Sequence, residues 1–343
     1  MRKLLGTLFV NSEDIYLSLE NENVVAYQDN KIVRRIPLLG LQSIISFSYK
    51  GASPALMGAC AEKGISMCFL TPRGRFLARV CGSSQGNVLL RKQQYRISDD
   101  LDKSCLVARN FICGKVYNAH SVVNRIVRDH KLSINEEVLL QTSRELMRKM
   151  RLARVCSDLD ELRGIEGNAA KDYFTIFSEL ILRNKIYFTF DGRVKRPPTD
   201  AVNALLSFAY VLLAHDCASA LESVGLDAYV GFLHRDRPGR TSLALDLMEE
   251  FRHVVADRCV LYVINNQMLN HKHFDKKPDG AVYLNDNGRK IFLSEWDKRR
   301  KEEILHPFLD EKMPWGMLPY AQALLLARYI RGDLEEYPAF LWK

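Results

Sequence analysis

Between Gly231 and Arg252 the sequence reads GFLHRDRPGRTSLALDLMEEFR. It sets an imidazole, His234, ahead of a turn at Arg237-Pro238-Gly239, then two carboxylates, Asp246 and Glu249, three residues apart in a segment of helical spacing. Side chains three apart on a helix share a face, one turn above the other. Two carboxylates so placed repel each other and are costly to bury. A divalent cation relieves both penalties. One imidazole with several carboxylates is a mixed nitrogen–oxygen ligand set, better suited to Mg²⁺ or Mn²⁺ than to a thiolate-seeking metal. The competing reading is a solvated acidic face beside an ordinary loop histidine, and spacing alone leaves both open. It also leaves open a second histidine, His253, which stands i, i+4 from Glu249 and competes with His234.

A helix must carry these groups. Thr241 or Ser242 is suited to cap it, since a hydroxyl there accepts an orphan backbone N–H. Leu243, Leu247, Phe251 and Val254 give it an apolar stripe, with Glu250 on the edge of that side. A second acid lies upstream in GIEGNAAKDYF. Here Ile165, Ala169, Tyr173 and Ile176 form a stripe, and Glu166 lies beside it among small residues that let another helix or a ligand come close. A glutamate so placed is expensive unless something pairs with it. The simpler reading is a helix N-terminal glutamate favoured by the dipole. Residues 183–196 read as a loop in which Lys185, Arg193, Lys195 and Arg196 interleave with Tyr187, Phe188 and Phe190, a composition able to track a nucleic-acid strand. Pro197-Pro198-Thr199-Asp200 ends that loop and caps a helix over 201–221, with Asn203 and Tyr210 as its polar positions.

The rest of the chain divides by pattern. Over residues 1–80, strands at 7–10, 15–19, 24–27, 31–38, 43–48, 65–70 and 75–80 alternate with Asn/Asp-rich turns, and 54–63 has helical spacing ending at Gly64. Cys81 to Gly86 is a flexible break. Beyond it the pattern is helical: 89–99, then 104–130, then a helix opened by a capping box at Ser133–Glu136 and rich in arginine, then 257–270, 292–303 and 318–332, with a β-hairpin over 281–290 turning at Asp286-Asn287-Gly288. The expected fold class is α+β, with a β-rich domain over 1–86 and a larger, mainly helical domain over 87–343.

At 343 residues the chain can bury a large core, and its net charge of +8 with a pI of about 9 favours a polyanionic partner. Residues 1–88 hold 10 Lys and Arg against 6 Asp and Glu, so the excess is shared equally with the remainder and names neither part as the binding surface. Eight cysteines occur without any C-x-x-C pair, which argues against a zinc knuckle and for buried free thiols in a reducing compartment. The apolar run at the start is too short for a signal peptide, and the longest greasy stretch, Ala204 to Ala214, is short for a membrane span. These features predict a cytoplasmic protein with no membrane partner.

GIEGNAAKDYF, RPPTDAVNALLSFAY, GLDAYVGFLH and GRTSLALDLMEEFR, in this order and spacing, closely resemble the CRISPR-associated adaptation integrase and endonuclease, the first of the numbered Cas protein families, in a form similar to the type I subtype C branch. The resemblance covers essentially the whole chain. It implies a metal-dependent DNA endonuclease and integrase of spacer acquisition, in which the 3′-hydroxyl of a short DNA fragment attacks a phosphate at the edge of a CRISPR repeat by transesterification. It implies that Glu166, His234 and Glu249 are ligands of Mg²⁺ or Mn²⁺, with Asp246 an additional acidic residue of the catalytic set. Asp236 is a competitor for an outer role. His253 stands where relatives often have proline. Double-stranded and branched DNA are the implied partners, with Lys195, Arg196, Arg237, Arg240 and Arg252 as candidate backbone contacts, although Arg252 equally suits an ion pair with Glu249 or Glu250. A homodimer through the β-rich domain and a larger assembly with the second Cas adaptation protein are implied too.

Two rival readings stand beside this one. The acid cluster of a non-catalytic nucleic-acid-binding scaffold would be ion-paired only. An HD-type metal phosphohydrolase would use His215-Asp216 with partners drawn from His120, His130 and Asp257. His271-Lys272-His273 offers an H-x-H, more simply read as exposed.

Overall fold

Asn21-Glu22 and Asp29-Asn30 adopt the left-handed backbone that two-residue hairpins require, and they join three antiparallel strands, β2 (Tyr16–Glu20), β3 (Asn23–Gln28) and β4 (Lys31–Pro37). The structure, a computed structural model, describes residues 6–82, 88–131 and 134–342. A second sheet has the order β1 (Gly6–Val10), β5 (Leu41–Ser46), β6 (Ser66–Leu70), β7 (Phe76–Val80), the first three parallel and the last antiparallel. Between β5 and β6 runs α1 (Pro54–Glu62), capped by the Ser53 hydroxyl and closed by Gly64 at φ +66°. Successive side chains of β5 and β6 point to opposite faces. Ile44 and Met67 therefore enter a small core with Leu17, Val24 and Leu56, while Ile45, Cys68 and Leu70 join the main helical core.

Most of the predicted break, residues 83–86, lies outside the described residues. The helical part comprises α2 (Val88–Asp99), α3 (Leu101–His130), α4 (Glu136–Val155), α5 (Leu159–Thr175), α6 (Ala201–Ser223), α7 (Ser242–Glu249), a π-helical segment (Arg252–Asp257), α8 (Arg258–Asn265), α9 (Asp286–Lys301) and α10 (Leu318–Arg331). Two short hairpins accompany them, β8 (Phe274–Lys276) with β9 (Val282–Leu284) and β10 (Glu303–Leu305) with β11 (Lys312–Pro314). The chain is thus of the α+β class. Helix α6 extends the apolar run seen in the sequence to 23 residues, long and apolar enough in composition to cross a membrane, but α7, α8 and α10 pack on it and most of it is buried. Its polar residues meet the second sheet and α9: His215 Nε2 lies 3.1 Å from Ser66 Oγ, Glu222 pairs with Arg79, and Asp216 lies 3.5 Å from Arg300 of α9.

Several local expectations change. The hairpin predicted over 281–290 is displaced: β8 and β9 turn through Lys277–Gly280, and Asp286-Asn287-Gly288 opens α9 under an Asn285 cap. Gly288 is required there because a Cβ would collide with the His273 carbonyl. Helix α4 is capped by Asn135, which accepts from Val138 N, and Ser133 of the expected capping box lies outside the described residues. Thr241 occupies the cap position of α7 without a side-chain bond, while the Ser242 hydroxyl donates to the Arg235 carbonyl. Helix α8 stops at Asn265 rather than continuing to 270. Phe188 and Phe190 are buried against Phe274, Phe174 and Phe177, so they are core and not a stacking surface for bases.

Candidate metal centre and its basic cavity

Asp246 is wholly buried, and its carboxylate organises the turn before α7. It accepts the backbone N–H groups of Phe232 (2.6 Å), Leu233 (3.0 Å) and His234 (3.0 Å) and meets His234 Nδ1 at 2.6 Å. The turn closes on the helix only because residue 231 is glycine, where a Cβ would come within 2.8 Å of Asp246 Oδ2 and 2.9 Å of Ser242 Cβ. With Nδ1 committed to Asp246, the imidazole presents Nε2 toward Glu249, 4.0 Å from its Oε1. A carboxylate on the rear nitrogen of a histidine fixes the tautomer and aims the front nitrogen, as in carboxylate–histidine–metal arrangements. Asp246 therefore stands behind His234 as its positioning residue.

Glu249 is almost fully buried between three cationic or potentially cationic groups. Its Oε1 lies 2.9 Å from Arg252 Nη2, and its Oε2 lies 2.8 Å from Lys115 Nζ. Burial pushes its carboxyl up, but Arg252, then Lys115 and His234, outweigh that penalty and hold it down at about 2. The Lys115 ammonium, itself buried on α3, also pairs with Glu166 of α5. Glu166 sits mid-helix, so the helix-dipole explanation of this acid does not apply. Two ligand-type carboxylates from α5 and α7 thus converge on one cation. As the side chains stand, no three His, Cys, Asp or Glu groups among the described residues form a metal-holding group, and the Lys115 ammonium contacts both acids. Glu249 Oε2 is buried and makes no directed hydrogen bond despite that contact. A stand-in cation held between two carboxylates and an imidazole nitrogen aimed at one of them fit a hard divalent metal.

A cavity of about 370 Å³ opens beside Glu166 and Lys115. Lys171, Arg193, Lys195 and Arg252 line it, so it presents a strongly cationic wall next to the carboxylates. Arg193 and Arg252 both lie over the Tyr210 ring, at 5.4 and 5.3 Å from its centroid. Partial desolvation at the rim, with Arg252 and Arg193 nearby, lowers the Lys195 ammonium below its ordinary value. Such a wall can take phosphate oxygens.

The structure brings Glu166, His234 and Glu249 to one place and sets Asp246 behind them. Of the basic candidates, Lys195 and Arg252 reach the cavity, but Arg252 is engaged by Glu249. Arg196 and Arg237 are exposed, Arg240 is half-buried in the turn before α7, and none of the three lines the cavity. Asp236 is exposed on that turn and makes no contact with His234 among the described interactions. His253 turns to Asp257, Nδ1 to Oδ2 at 2.7 Å, instead of pairing with Glu249. The rival HD group does not assemble. His215 is buried at the sheet, where burial, then Arg79 and Arg300, push its pKa down to about 3; His120 bonds Ser143 and Asn124; His130 is exposed at the end of α3. His273 serves as a cap acceptor for Asn270 N in an exposed turn. Sequence reasoning missed Lys115, and it named Arg193 only as part of a basic loop. The signal for Lys115 was a lysine inside the run Phe111-Ile112-Cys113-Gly114-Lys115-Val116, all of it buried.

Residues 8–298 match the family model described as CRISPR associated protein Cas1. A curated relative from Chlorobaculum tepidum, named CRISPR-associated endonuclease Cas1 1, is 47% identical over 343 residues and matches over the whole of both chains. Among solved structures, a casposase bound to integration product superposes with a TM-score of 0.84 at 20% identity, covering 99% of this chain and 95% of the other. A chain of a Cas6-RT-Cas1–Cas2 complex superposes with a TM-score of 0.80 at 22% identity, covering 99% of this chain and 36% of that one. At these identities the two structures speak to the fold.

Proposed function

The chain belongs to the CRISPR-associated Cas1 family, and from that membership we propose a divalent-metal-dependent DNA endonuclease and integrase of spacer acquisition. The observation that carries this reading is the convergence of Glu166 and Glu249 on one cation beside the Nε2 of His234, at the mouth of a basic cavity. Glu166, His234 and Glu249 would hold the metal, Mg²⁺ or Mn²⁺. When bound, it supplies Lewis-acid polarisation of a phosphate and stabilises charge on the attacking and leaving oxygens.

The chain's own residues do the rest. Asp246 fixes the His234 tautomer and ring direction. Lys171, Arg193 and Lys195 receive the non-bridging oxygens of a phosphodiester and align it for attack by a 3′-hydroxyl, so that one phosphate ester is exchanged for another. Double-stranded and branched DNA are the substrates in this reading. A homodimer through the β-rich part, an assembly with the Cas2 partner and a cytoplasmic location complete it. The first two draw on family membership and on the exposed Ile32 and Val33 of β4.

A second reading has one observation in its favour: Lys115 and Arg252 already neutralise the acids, as in a nucleic-acid-binding scaffold that needs no metal. A branched DNA mimicking half-site integration, incubated with Mn²⁺ or Mg²⁺ and with EDTA, separates the two. We expect metal-dependent cleavage or strand transfer that is lost in His234→Ala and retained in His215→Ala. Activity that survives His234→Ala overturns the assigned site.

A further inference from the structure

The π-helical segment after α7 carries a second imidazole–carboxylate pair that the metal centre does not use. His253 and Asp257 lie on it four residues apart, with Nδ1 of the ring 2.7 Å from Asp257 Oδ2. Asp257 is wholly buried, and its other oxygen accepts the Tyr210 hydroxyl at 2.7 Å. No lysine or arginine pairs with it among the described residues; the histidine is its one ion-pair partner there. Because Asp257 accepts, the ring hydrogen belongs on Nδ1, and Nε2 of the neutral ring is left as an acceptor. Among the described residues no hydrogen bond engages Nε2, and His253 lines the same cavity as Glu166 and Lys115. The Tyr173 ring, centred 4.2 Å from the imidazole, backs it. A histidine present only to satisfy a buried aspartate has no need to border that cavity.

We propose that His253, oriented by Asp257, is a catalytic residue that accepts the proton of the attacking hydroxyl. This rests on the phosphodiester chemistry proposed above. As the nucleophile's oxygen bonds to phosphorus, its proton passes to His253 Nε2, and Asp257 stabilises the imidazolium that forms. The bond from phosphorus to the leaving 3′-oxygen breaks with its electron pair on that oxygen, which takes a proton from water. The imidazolium then returns its proton to water. Asp257 is a positioning residue in this step.

The test uses the full chain, Mn²⁺ and branched DNA under single-turnover conditions. His253→Asn keeps an amide donor for Asp257 and removes Nε2. We expect it to fold, to bind Mn²⁺ as wild type does by isothermal titration, to keep wild-type DNA affinity, and to turn over about 10²-fold more slowly. In His253→Ala, added imidazole should restore part of the rate, while His234→Ala should gain nothing from it. A wild-type rate in His253→Asn overturns the proposal. So does a rate loss that imidazole does not relieve and that comes with weakened DNA binding, since that is what a purely structural histidine predicts. Loss of the site assignment itself reads differently: His234→Ala stays active, and the inference about His253 falls with it.

Discussion

Lys115 Nζ stands 2.8 Å from Glu249 Oε2 while also pairing with Glu166, so a lysine from α3 clamps the two acids contributed by α5 and α7. All three charges depend on one another. Removing the ammonium leaves the nearly buried carboxylate of Glu249 facing the partly exposed one of Glu166, a change that costs about 3 kcal/mol, the lower end for breaking a buried pair. A bound divalent cation compensates for it. Lys115→Met should therefore melt well below wild type in EDTA and should show a larger rise in Tm than wild type on adding Mn²⁺, because a ligand stabilises the folded state more the tighter it binds. Thermal denaturation with and without Mn²⁺ measures both. An equal Mn²⁺ shift in the two proteins means that Lys115 does not share the space with the metal.

Asp246 looked, from its place three residues before Glu249, like a further acid on the metal-binding face. Its four contacts instead tie down the turn that delivers His234. Asp246→Ala strands several buried donors and should destabilise the protein by about 3 kcal/mol or more in urea titrations. Asp246→Asn keeps the shape but loses the carboxylate on His234 Nδ1, and should weaken Mn²⁺ binding roughly 10- to 100-fold. Unchanged metal affinity in a folded Asp246→Asn protein would remove Asp246 from any role at His234.

Local chemistry made the β-rich part readable. Asn and Asp at Asn21, Asp29 and Asn30 announce the left-handed turns they adopt, and the strands fall within a residue or two of the expected bounds. The same cue misled at Asp286-Asn287-Gly288, because packing of Gly288 beneath the His273 carbonyl, which is not local, decides that the segment is helical. The helix faces bearing Glu166 and Glu249 were readable from spacing, and family resemblance supplied their pairing with His234. Lys115 was not, since nothing in the sequence says that α3 crosses between α5 and α7. Glu250 is a similar case. Its partners are 72 to 90 residues away: Gln322, Tyr337 and the backbone N–H of Phe340, which tie the C-terminal tail to the helix next to Glu249.

That tail contact has a pH signature. Burial pushes the Glu250 carboxyl up to about 8, against the pull of Tyr337, the Phe340 N–H and Gln322. In the unfolded chain it ionises near 4.5. Between pH 4.5 and 8 the folded protein holds a proton that the unfolded chain has lost, so this group's contribution to stability falls as pH rises and levels off above 8. Glu250→Gln is neutral throughout. Its Tm relative to wild type should therefore climb between pH 5 and 8 in a differential scanning series. A difference that does not change with pH means that the carboxyl titrates alike folded and unfolded.

Arg252 and Lys195 face one cavity but should answer differently to mutation. Arg252 is mostly buried, pairs with Glu249 at 2.9 Å and lies over Tyr210. Burial works against its charge, but Glu249 more than compensates and leaves its pKa raised. Its loss removes a charged hydrogen bond from a buried acid, so Arg252→Ala should cost about 2 kcal/mol of stability. Lys195 is exposed at the rim and makes no ion pair among the described residues. Lys195→Ala should leave stability unchanged and reduce the slope of log affinity against log salt by about 0.9 on duplex DNA, the signature of one lost phosphate contact. Urea titration and salt-dependent DNA binding on both variants separate the roles. If Arg252→Ala keeps full stability and loses the salt slope instead, Arg252 belongs to the DNA and Glu249 is held chiefly by Lys115.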